Sequence, residues 1–329
     1  MQQPEQLTSL LESLASLKLT LVALVLFAAL VVLIYVRDDL PSALLAAPLG
    51  LLSANLLAAI LGNRSFRRQA ALLVFHLALL TLVLLLAASR LSYLKGSLEL
   101  TEGEEFTGTL LESDAGPFHP IDTLRALRFG NLGFRIDYAP GPLRQGIRNQ
   151  IEIRGPGAVP HRIEITDQKP LILSGYRFYP TGNKGFAPSF NWQPTGGGEA
   201  RIGTVHLPSY PLHEHGQARE WTPPGTALRI WTMLEFKETI LAPDRWSEFR
   251  PPKEHRIVLR IGAQRWELVP GGIVDLPEGR LEYRGLRGWM GYTVFYDWTI
   301  PWLLAACLVA IGALGAHFWS KFANKPWNA

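Results

Sequence analysis

Four long apolar segments dominate the hydrophobic pattern of the chain, three near its start and one near its end. They cover residues 19–36, 40–62, 70–89 and 298–319, and none of them contains Lys, Arg, Asp or Glu. A helix needs about 20 apolar residues, each rising about 1.5 Å, to cross a hydrocarbon core about 30 Å thick. The pattern therefore predicts four transmembrane helices. The first segment is included because it is too long for the core of a signal peptide.

A different pattern fills the stretch between the third and fourth segments. Residues 90–297 alternate apolar and polar side chains over short runs such as 256–261, and Gly- and Pro-rich turns separate the runs. This period of two predicts β-strands. We therefore expect a membrane region at 1–89 with three helices, then a β-rich domain built as a sandwich or open barrel, and a last helix with a short tail at 298–329. The Pro-, His- and Gly-rich stretch 199–224 is expected to be a long loop.

Charged residues in the loops predict the orientation of these helices, because Lys and Arg beside a membrane span stay on the cytoplasmic side. The loop between the second and third segments carries Arg64, Arg67 and Arg68, whereas the first loop carries one arginine and two aspartates. The second loop is thus expected in the cytoplasm. Both chain termini then lie inside, with Lys321 and Lys325 in the tail, and the β-rich domain lies outside.

The composition and motifs of the chain argue against several classes of function. The net charge is +4, but the basic residues are scattered among acidic ones, so the pattern does not indicate a nucleic-acid partner. The only cysteine is Cys307, inside the fourth apolar segment. One cysteine excludes an intramolecular disulfide, a CxxC redox pair and a thiolate metal site. The sequence also has no Gly-rich phosphate loop and no GxSxG nucleophile elbow.

His76 is the residue in the membrane region with the clearest chemical potential. It lies in the third segment, about 9 Å from the cytoplasmic end at Ala70. An ionisable residue at membrane depth indicates a functional site, and a neutral imidazole is a good axial ligand for haem iron. The alternative is a structural histidine bonded to a neighbouring helix, for instance to Asn55 or Ser53. The spacing alone leaves both interpretations open.

Other histidines are weaker candidates. His317 lies near the cytoplasmic end of the fourth segment, close to the water boundary, and is a second, less favoured haem ligand. His213 and His215 flank Glu214 on a Pro-rich stretch, and two alternate histidines are too few for a closed metal site. The sequence therefore predicts no metal beyond haem iron and no catalytic residue.

At this point the sequence resembles the ResB proteins of System II cytochrome c maturation. The resemblance extends over nearly the whole chain, and it depends on the order and spacing of short stretches rather than on any one of them. These stretches are residues 14–20, 51–57, 75–80, 95–104, 137–141, 169–171 and 175–179, together with Asp297 at the entrance to the last helix.

The resemblance implies a function and a set of partners. A ResB-like subunit works with a ResC/CcsA-type membrane protein in the bacterial inner membrane, transports haem b to the periplasmic side and supports its attachment to apocytochrome c. The third-helix histidine of the family, an axial haem ligand, corresponds to His76. Thiol-reducing thioredoxin-like proteins are further candidate partners, and membrane lipids are expected to contact the helices. Because the Trp-rich haem-handling motif of the partner does not occur here, the chain is expected to be an accessory subunit of the haem lyase.

Two departures from the family keep other functions open. The domain at 90–297 has no cysteine, which argues against a direct role in thiol reduction, and Tyr296-Asp297-Trp298 replaces the Asp-Pro-Gly run associated with the family. The alternatives are a structural assembly protein that binds no haem and an electron-transfer subunit with haem bound between His76 and His317.

Overall fold

The computed structural model describes residues 11–37, 39–63, 68–154 and 159–323, which form two units. The membrane unit comprises Met1–Lys95, Ser113–Pro120 and Phe295–Ala329, and the β unit comprises Gly96–Glu112 and Ile121–Val294. Four residues used to predict the orientation, Asp38, Arg64, Arg67 and Lys325, lie outside the described residues.

The described residues form five α-helices, four of them long. They are α1 (Leu17–Val36), α2 (Ala46–Gly62, after a 3₁₀ turn at Ser42–Leu45), α3 (Ala70–Ser92), the short α4 (Ile121–Ala126) and α5 (Ile300–Phe322). The four long helical segments are apolar enough to cross a membrane, which confirms the predicted three-plus-one arrangement. Hydropathy misses the last three residues of α3, because Arg90 and Ser92 are polar although they continue the helix.

The start of α1 is tied to α2 through a buried amide. Asn55 on α2 is 5% exposed, and its Nδ2 donates to the carbonyl oxygens of Leu14 and Ser16 at 2.6 and 3.1 Å. Its Oδ1 accepts a bond of 2.7 Å from the Thr20 hydroxyl. A polar side chain in hydrocarbon needs partners from the protein, because lipid offers none. This amide therefore fixes how α1 lies against α2.

The C-terminal end of α3 is held at the N-terminal end of α5. The Ser89 hydroxyl donates to Asp297 at 2.7 Å, and the Trp298 indole N–H donates to the Ser92 hydroxyl at 2.8 Å. Asp297 in turn accepts from the backbone N–H of Thr299 at the entrance to α5. Since the end of one helix meets the beginning of the other, α3 and α5 run antiparallel, and they pack against each other along their length.

A short segment at residues 116–119 caps the last turn of α3. The backbone N–H groups of Gly116 and Phe118 donate to the carbonyls of Tyr93 and Leu91 at 3.0 and 2.8 Å, and His119 Nδ1 lies 3.2 Å from the Ser92 carbonyl. These carbonyls have no partner within the helix, so the segment satisfies groups that would otherwise be unpaired. Burial lowers the pKa of His119, which favours the neutral ring.

The β unit contains most of the sixteen strands. They are β1 (Leu94–Thr101), β2 (Glu105–Phe106), β3 (Glu112–Ala115), β4 (Phe129–Tyr138), β5 (Arg144–Ile153), β6 (His161–Ile165), β7 (Leu171–Leu173), β8 (Tyr176–Pro194), β9 (Arg201–Thr204), β10 (Ala218–Trp221), β11 (Ile230–Phe236), β12 (Ser247–Glu248), β13 (His255–Ile261), β14 (Gln264–Leu268), β15 (Ile273–Leu276) and β16 (Gly279–Tyr296). The predicted β-rich domain between the third and fourth membrane helices is thus confirmed.

These strands form three sheets. The first has the order β3-β1-β16-β8-β7, with β15 on β16 and β9 on β8. The second has the order β10-β11-β13-β14, and the third the order β12-β4-β5-β6, with β2 on β4. Aromatic side chains fill the interior: the rings of Phe106, Phe129 and Phe178 lie 4.9–5.5 Å apart and are at most 2% exposed.

A buried polar chain connects the third sheet to the first. The Tyr292 hydroxyl on β16 donates to Asn149 Oδ1 on β5 at 2.8 Å, and Asn149 Nδ2 donates to Asn131 Oδ1 on β4 at 2.8 Å. The side chains of Asn131 and Asn149 are fully buried. Because each buried polar group requires its own partner, this chain specifies the alignment of three strands more strictly than apolar packing does.

The prediction of one long loop at 199–224 was wrong in part. Strands β9 and β10 lie within it, and Val205, Leu207 and Tyr210 donate their backbone N–H groups to carbonyls of β8 at 2.9–3.0 Å. The side chains of these three residues are buried. Proline has no N–H, but the prolines of this stretch do not occupy the three donating positions, so the backbone pairs although the composition is typical of a loop.

Replacing Gly116 with Ala should destabilise the membrane unit, because the added carbon would lie 2.2 Å from the Leu91 carbonyl carbon. We expect a loss of about 2 kcal/mol, measured as a lower melting temperature of the full-length protein in detergent. The matched control is Gly312→Ala on α5, where an added carbon meets nothing within 4 Å. An unchanged melting temperature for Gly116→Ala would show that the segment at 116–119 does not cap α3.

Candidate haem-ligand site

His76 lies in the second turn of α3, and its side chain is half-buried. Its Nδ1 is 2.7 Å from the carbonyl oxygen of Leu72, one turn earlier on the same helix. A carbonyl oxygen can only accept, so Nδ1 carries the hydrogen and donates it. In the neutral ring Nε2 then carries the lone pair. This is the tautomer of a metal-ligating histidine, whose second nitrogen usually donates to a carbonyl or a carboxylate.

The surroundings of His76 are apolar. The Phe75 ring lies edge-on at a centroid distance of 5.3 Å, and the neighbouring residues on α3 are leucine, valine and alanine. The helix packs against α2 and α5, whereas Val74, Leu77 and Leu84 remain 42–50% exposed. The side of α3 that carries these three residues is therefore open to lipid or to a partner. Leu77 follows His76 directly in the sequence.

The two side chains considered as structural partners of His76 have hydrogen bonds elsewhere. The amide of Asn55 binds α1, as described above, and the hydroxyl of Ser53 donates to the Leu49 carbonyl at 2.9 Å. A serine hydroxyl has one hydrogen, so Ser53 has none left to donate to the histidine. The orientation of the His76 ring is set by its own helix through Leu72.

His317 is buried on α5, with 8% of its surface exposed and its ring centroid 5.6 Å from that of Phe318. The contact between Ser89 and Asp297 gives the register of the two antiparallel helices. At about 1.5 Å per residue, His76 lies about 20 Å from Ser89 and His317 about 30 Å from Asp297. The difference places the two histidines about 10 Å apart along the helix axes. This register argues against one haem iron held between them.

Histidines elsewhere do not form a metal centre with the residues around them. Within residues 11–37, 39–63, 68–154 and 159–323, no group of three or more His, Cys, Asp and Glu side chains is arranged to hold a metal ion. His213 and His215 are exposed. The described residues therefore offer no closed site of the kind that a structural metal needs.

A polar cluster at the C-terminal end of α3 was not found from the sequence. Ser42 donates to the Tyr93 hydroxyl at 2.5 Å, and the Arg90 guanidinium lies 5.2 Å from the centre of the Tyr93 ring. Burial, with Asp114 nearby, raises the pKa of Tyr93 to about 12. Only the charges of Arg90 and Asp114 could have drawn attention to it, because its members come from three distant parts of the chain.

A second unrecognised arrangement lies in the β unit. His206 Nδ1 is 2.8 Å from the carboxylate of Glu99, and its Nε2 is 2.9 Å from the Thr101 hydroxyl. Its ring stacks on Trp289 at a centroid distance of 5.3 Å. The order Thr–His–Glu is that of a nucleophile, base and orienting acid, but Thr101 is only 1% exposed and substrate cannot reach its hydroxyl. The arrangement positions His206 and is not a catalytic site.

Lys184 is a buried cation in the same unit. It is 2% exposed, its ammonium donates to the Tyr138 hydroxyl and to the Tyr210 carbonyl, and the rings of Tyr138 and Phe249 lie 5.0 and 5.3 Å away. Burial, assisted by the nearby cation of Arg144, lowers the pKa of Lys184 to about 8. The lysine therefore connects β8, β4 and the segment at 205–210 at a cost in stability when it is charged.

The residues around His76 fit one axial half of a haem site. The ring has the appropriate tautomer and its neighbours are apolar. The register of α3 and α5 does not bring His317 to the opposite face.

The fold and this histidine define a helical membrane protein with a β-rich domain between its third and fourth membrane helices. The model of the ResB-like family matches residues 53–230, more than half of the chain, and the matched stretch contains His76. The chain belongs to the ResB-like family, which confirms the resemblance described above. This membership suggests involvement in cytochrome c biogenesis. A search of curated proteins finds no match to the chain.

The stability of the protein should depend on the charge of Lys184. Folding lowers its pKa from an ordinary value near 10.5 to about 8, so the unfolded chain binds the proton more tightly and stability rises with pH between these two values. Between pH 7 and pH 10 the wild type should gain about 2 kcal/mol relative to Lys184→Met. The measurement is denaturant unfolding of both proteins across that range.

The exposed Lys169→Met is the matched control for Lys184→Met, and its difference from the wild type should not change with pH. A difference between wild type and Lys184→Met that stays constant from pH 7 to pH 10 would show that Lys184 is not shielded from solvent.

Proposed function

We propose that this chain is a haem-handling accessory subunit of a cytochrome c synthase. With a ResC/CcsA-type membrane partner, it transports haem across the bacterial inner membrane and supports haem attachment to apocytochrome c. One observation carries the proposal: the family-matched part of the chain contains a histidine at membrane depth whose Nδ1–H is held by the Leu72 carbonyl, so that Nε2 is the ligating nitrogen.

In this proposal haem b is the cargo, and this chain provides one axial ligand. His76 binds the iron, Leu72 orients the ring, and the apolar neighbours on α3 keep water from the ligand. The partner provides the opposite ligand and approaches along the exposed side chains of Val74, Leu77 and Leu84. The haem itself supplies the vinyl groups that form thioether bonds with apocytochrome cysteines.

The proposed orientation follows from the loop charges. Both termini lie in the cytoplasm, and the β unit lies in the periplasm, where apocytochrome c is available. His76, near the start of α3, is then in the cytoplasmic half of the membrane, where haem enters. Thiol-reducing thioredoxin-like proteins act upstream on the apocytochrome, because this chain has only Cys307.

A structural assembly protein remains the rival function, since family membership does not itself require bound haem. The position of His76 favours haem handling over simple packing, because an ionisable side chain at membrane depth indicates a functional site. Absence of haem from the wild-type chain, purified both alone and with its ResC/CcsA-type partner, would favour the structural function.

Changing His76 to Ala should remove haem from the protein co-purified with its partner. We expect the haem-to-protein ratio, measured by absorption at the Soret band and by pyridine haemochrome, to fall about 10-fold or more, because an axial ligand is lost. Exogenous imidazole should restore part of the absorption in His76→Gly protein.

His317→Ala is the matched control, since His317 also lies at membrane depth but outside the reach of the same iron. Its haem content should equal that of the wild type. If His317→Ala lost haem while His76→Ala retained it, the assignment of the ligand would be wrong.

A further inference from the structure

A pair of opposite charges lies at the C-terminal end of α3, in the cluster formed by Ser42, Arg90, Tyr93 and Asp114. We call it the Tyr93 cluster, and its residues all belong to the membrane unit. The Ser42 hydroxyl donates to the Tyr93 hydroxyl at 2.5 Å, and the Tyr93 hydroxyl hydrogen-bonds the Asp114 carboxylate. The Arg90 guanidinium lies 5.2 Å from the centre of the Tyr93 ring. One tyrosine therefore contacts both a cation and a carboxylate.

Neither charge of the cluster is neutralised by a neighbouring side chain. Arg90 is half-buried and Asp114 is exposed, and neither forms an ion pair with any side chain that the structure describes. A guanidinium over an aromatic ring is attracted to the ring but keeps its N–H donors for other groups. Tyr93 itself is 8% exposed, so the ring that holds Arg90 is fixed. The cluster is therefore a preformed site, which binds a ligand at little ordering cost.

The Tyr93 cluster lies at the level where α3 leaves the hydrocarbon. The apolar sequence of α3 changes to polar at Ser89 and Arg90. At the same level the Trp298 indole donates to Ser92, and Trp298 and Trp302 are 46% and 60% exposed. Exposed tryptophans are typical of the interfacial layer of a bilayer, where the headgroups lie. A ligand of the cluster is therefore at headgroup depth.

Exposed apolar side chains adjoin the Tyr93 cluster. Leu86 lies one turn before Arg90 on the same side of α3, and it is 40% exposed. Leu44, in the 3₁₀ turn that carries Ser42, is 42% exposed. A soluble anion would use Arg90 but none of this apolar surface. Two charges beside exposed leucines fit an amphiphile, which has a charged head and an apolar chain.

The two signs of charge select the headgroup of this amphiphile. A guanidinium pairs well with a phosphodiester, and a primary ammonium offers several N–H donors to a carboxylate. An ethanolamine headgroup carries both groups, joined by a short ethyl link. A glycerol headgroup has the phosphate but no cation, and a choline headgroup has a cation without N–H donors. Arg90 and Asp114 together therefore favour the ethanolamine headgroup.

We propose that the Tyr93 cluster binds a phospholipid with a primary ammonium headgroup, of the phosphatidylethanolamine type. The phosphate pairs with Arg90, the ammonium pairs with Asp114, and one acyl chain lies along Leu86. The lipid thereby connects the end of α3 to the segment that carries Asp114. The site lies about 21 Å along the helix from His76, at about 1.5 Å per residue, so the inference does not rest on haem handling.

The test uses the full-length chain, delipidated in detergent, and native mass spectrometry of the lipid that it retains. The probes are phosphatidylethanolamine, phosphatidylcholine and phosphatidylglycerol with identical acyl chains. The wild type should retain phosphatidylethanolamine about fivefold more than either of the others, because only this headgroup uses both charges. Stepwise N-methylation of the ammonium should lower the retention step by step. Equal retention of phosphatidylethanolamine and phosphatidylcholine would overturn the inference.

Variants of Arg90 examine the phosphate contact. Arg90→Gln should lower the retention of phosphatidylethanolamine about fivefold, because the phosphate loses its cation. Arg90→Lys keeps the charge and should keep most of the binding, so it separates loss of the contact from a folding defect. The matched control is Lys321→Gln, since Lys321 is likewise the basic residue in the last turn of a membrane helix, and it should bind as the wild type does. If Arg90→Gln retained the lipid as the wild type does, the inference would be wrong.

Asp114→Asn examines the choice of headgroup, because it removes the carboxylate but keeps the size of the side chain. We expect this variant to retain phosphatidylethanolamine and phosphatidylcholine equally. A variant that still preferred phosphatidylethanolamine as the wild type does would also overturn the inference. His76→Ala should lose haem and retain the lipid as the wild type does, so the lipid site and the proposed function are tested separately.

Discussion

Every polar group at membrane depth must find its partner within the protein, because hydrocarbon offers no hydrogen bonds. This requirement explains the arrangement of the membrane unit. The Asn55 amide connects α2 to the start of α1, and the Ser53 hydroxyl donates to the Leu49 carbonyl of its own helix. The Ser89 hydroxyl donates to Asp297 where α3 meets α5. His76 meets the same requirement through a hydrogen bond from its Nδ1–H to the Leu72 carbonyl.

Buried polar groups in the β unit, which lies in water rather than in hydrocarbon, also find their hydrogen-bond partners within the protein. Its interior combines aromatic packing with buried polar contacts, among them the Asn131–Asn149–Tyr292 chain and the Lys184 ammonium. These groups are hydrogen-bonded, so they specify strand alignment although their desolvation is costly. Three buried atoms are exceptions, since Trp192 Nε1, Gln217 Oε1 and Ser247 Oγ have no hydrogen-bond partner among the described residues.

The sequence predicted the elements whose signals are local. Runs of apolar residues identified the four membrane helices, and alternation identified the β-rich domain, because both patterns depend on neighbours a few residues apart. The segment at 116–119 and the pairing of 205–210 with β8 were not predicted, since their partners are distant in the chain. For the candidate site, His76 could be selected from its depth, but its tautomer depends on a bond seen only in the structure. Glu99 and His206 are separated by more than a hundred residues, and no spacing pattern connects them.

The cap on α3 has a consequence for the position of His76 as well as for stability. Gly116, Phe118 and His119 contact the last carbonyls of the helix, and Asp297 accepts a hydrogen bond from Ser89 one turn earlier, so the axial position and rotation of α3 are defined at this end. His76 therefore lies about 24 Å from Ser92 along the helix axis, at about 1.5 Å per residue. Inserting one residue between His76 and Ser92 would rotate His76 by about 100° about the helix axis, given about 3.6 residues per turn. It would also move His76 about 1.5 Å further from Ser92. The depth and direction of His76 are therefore set by contacts at the far end of the helix.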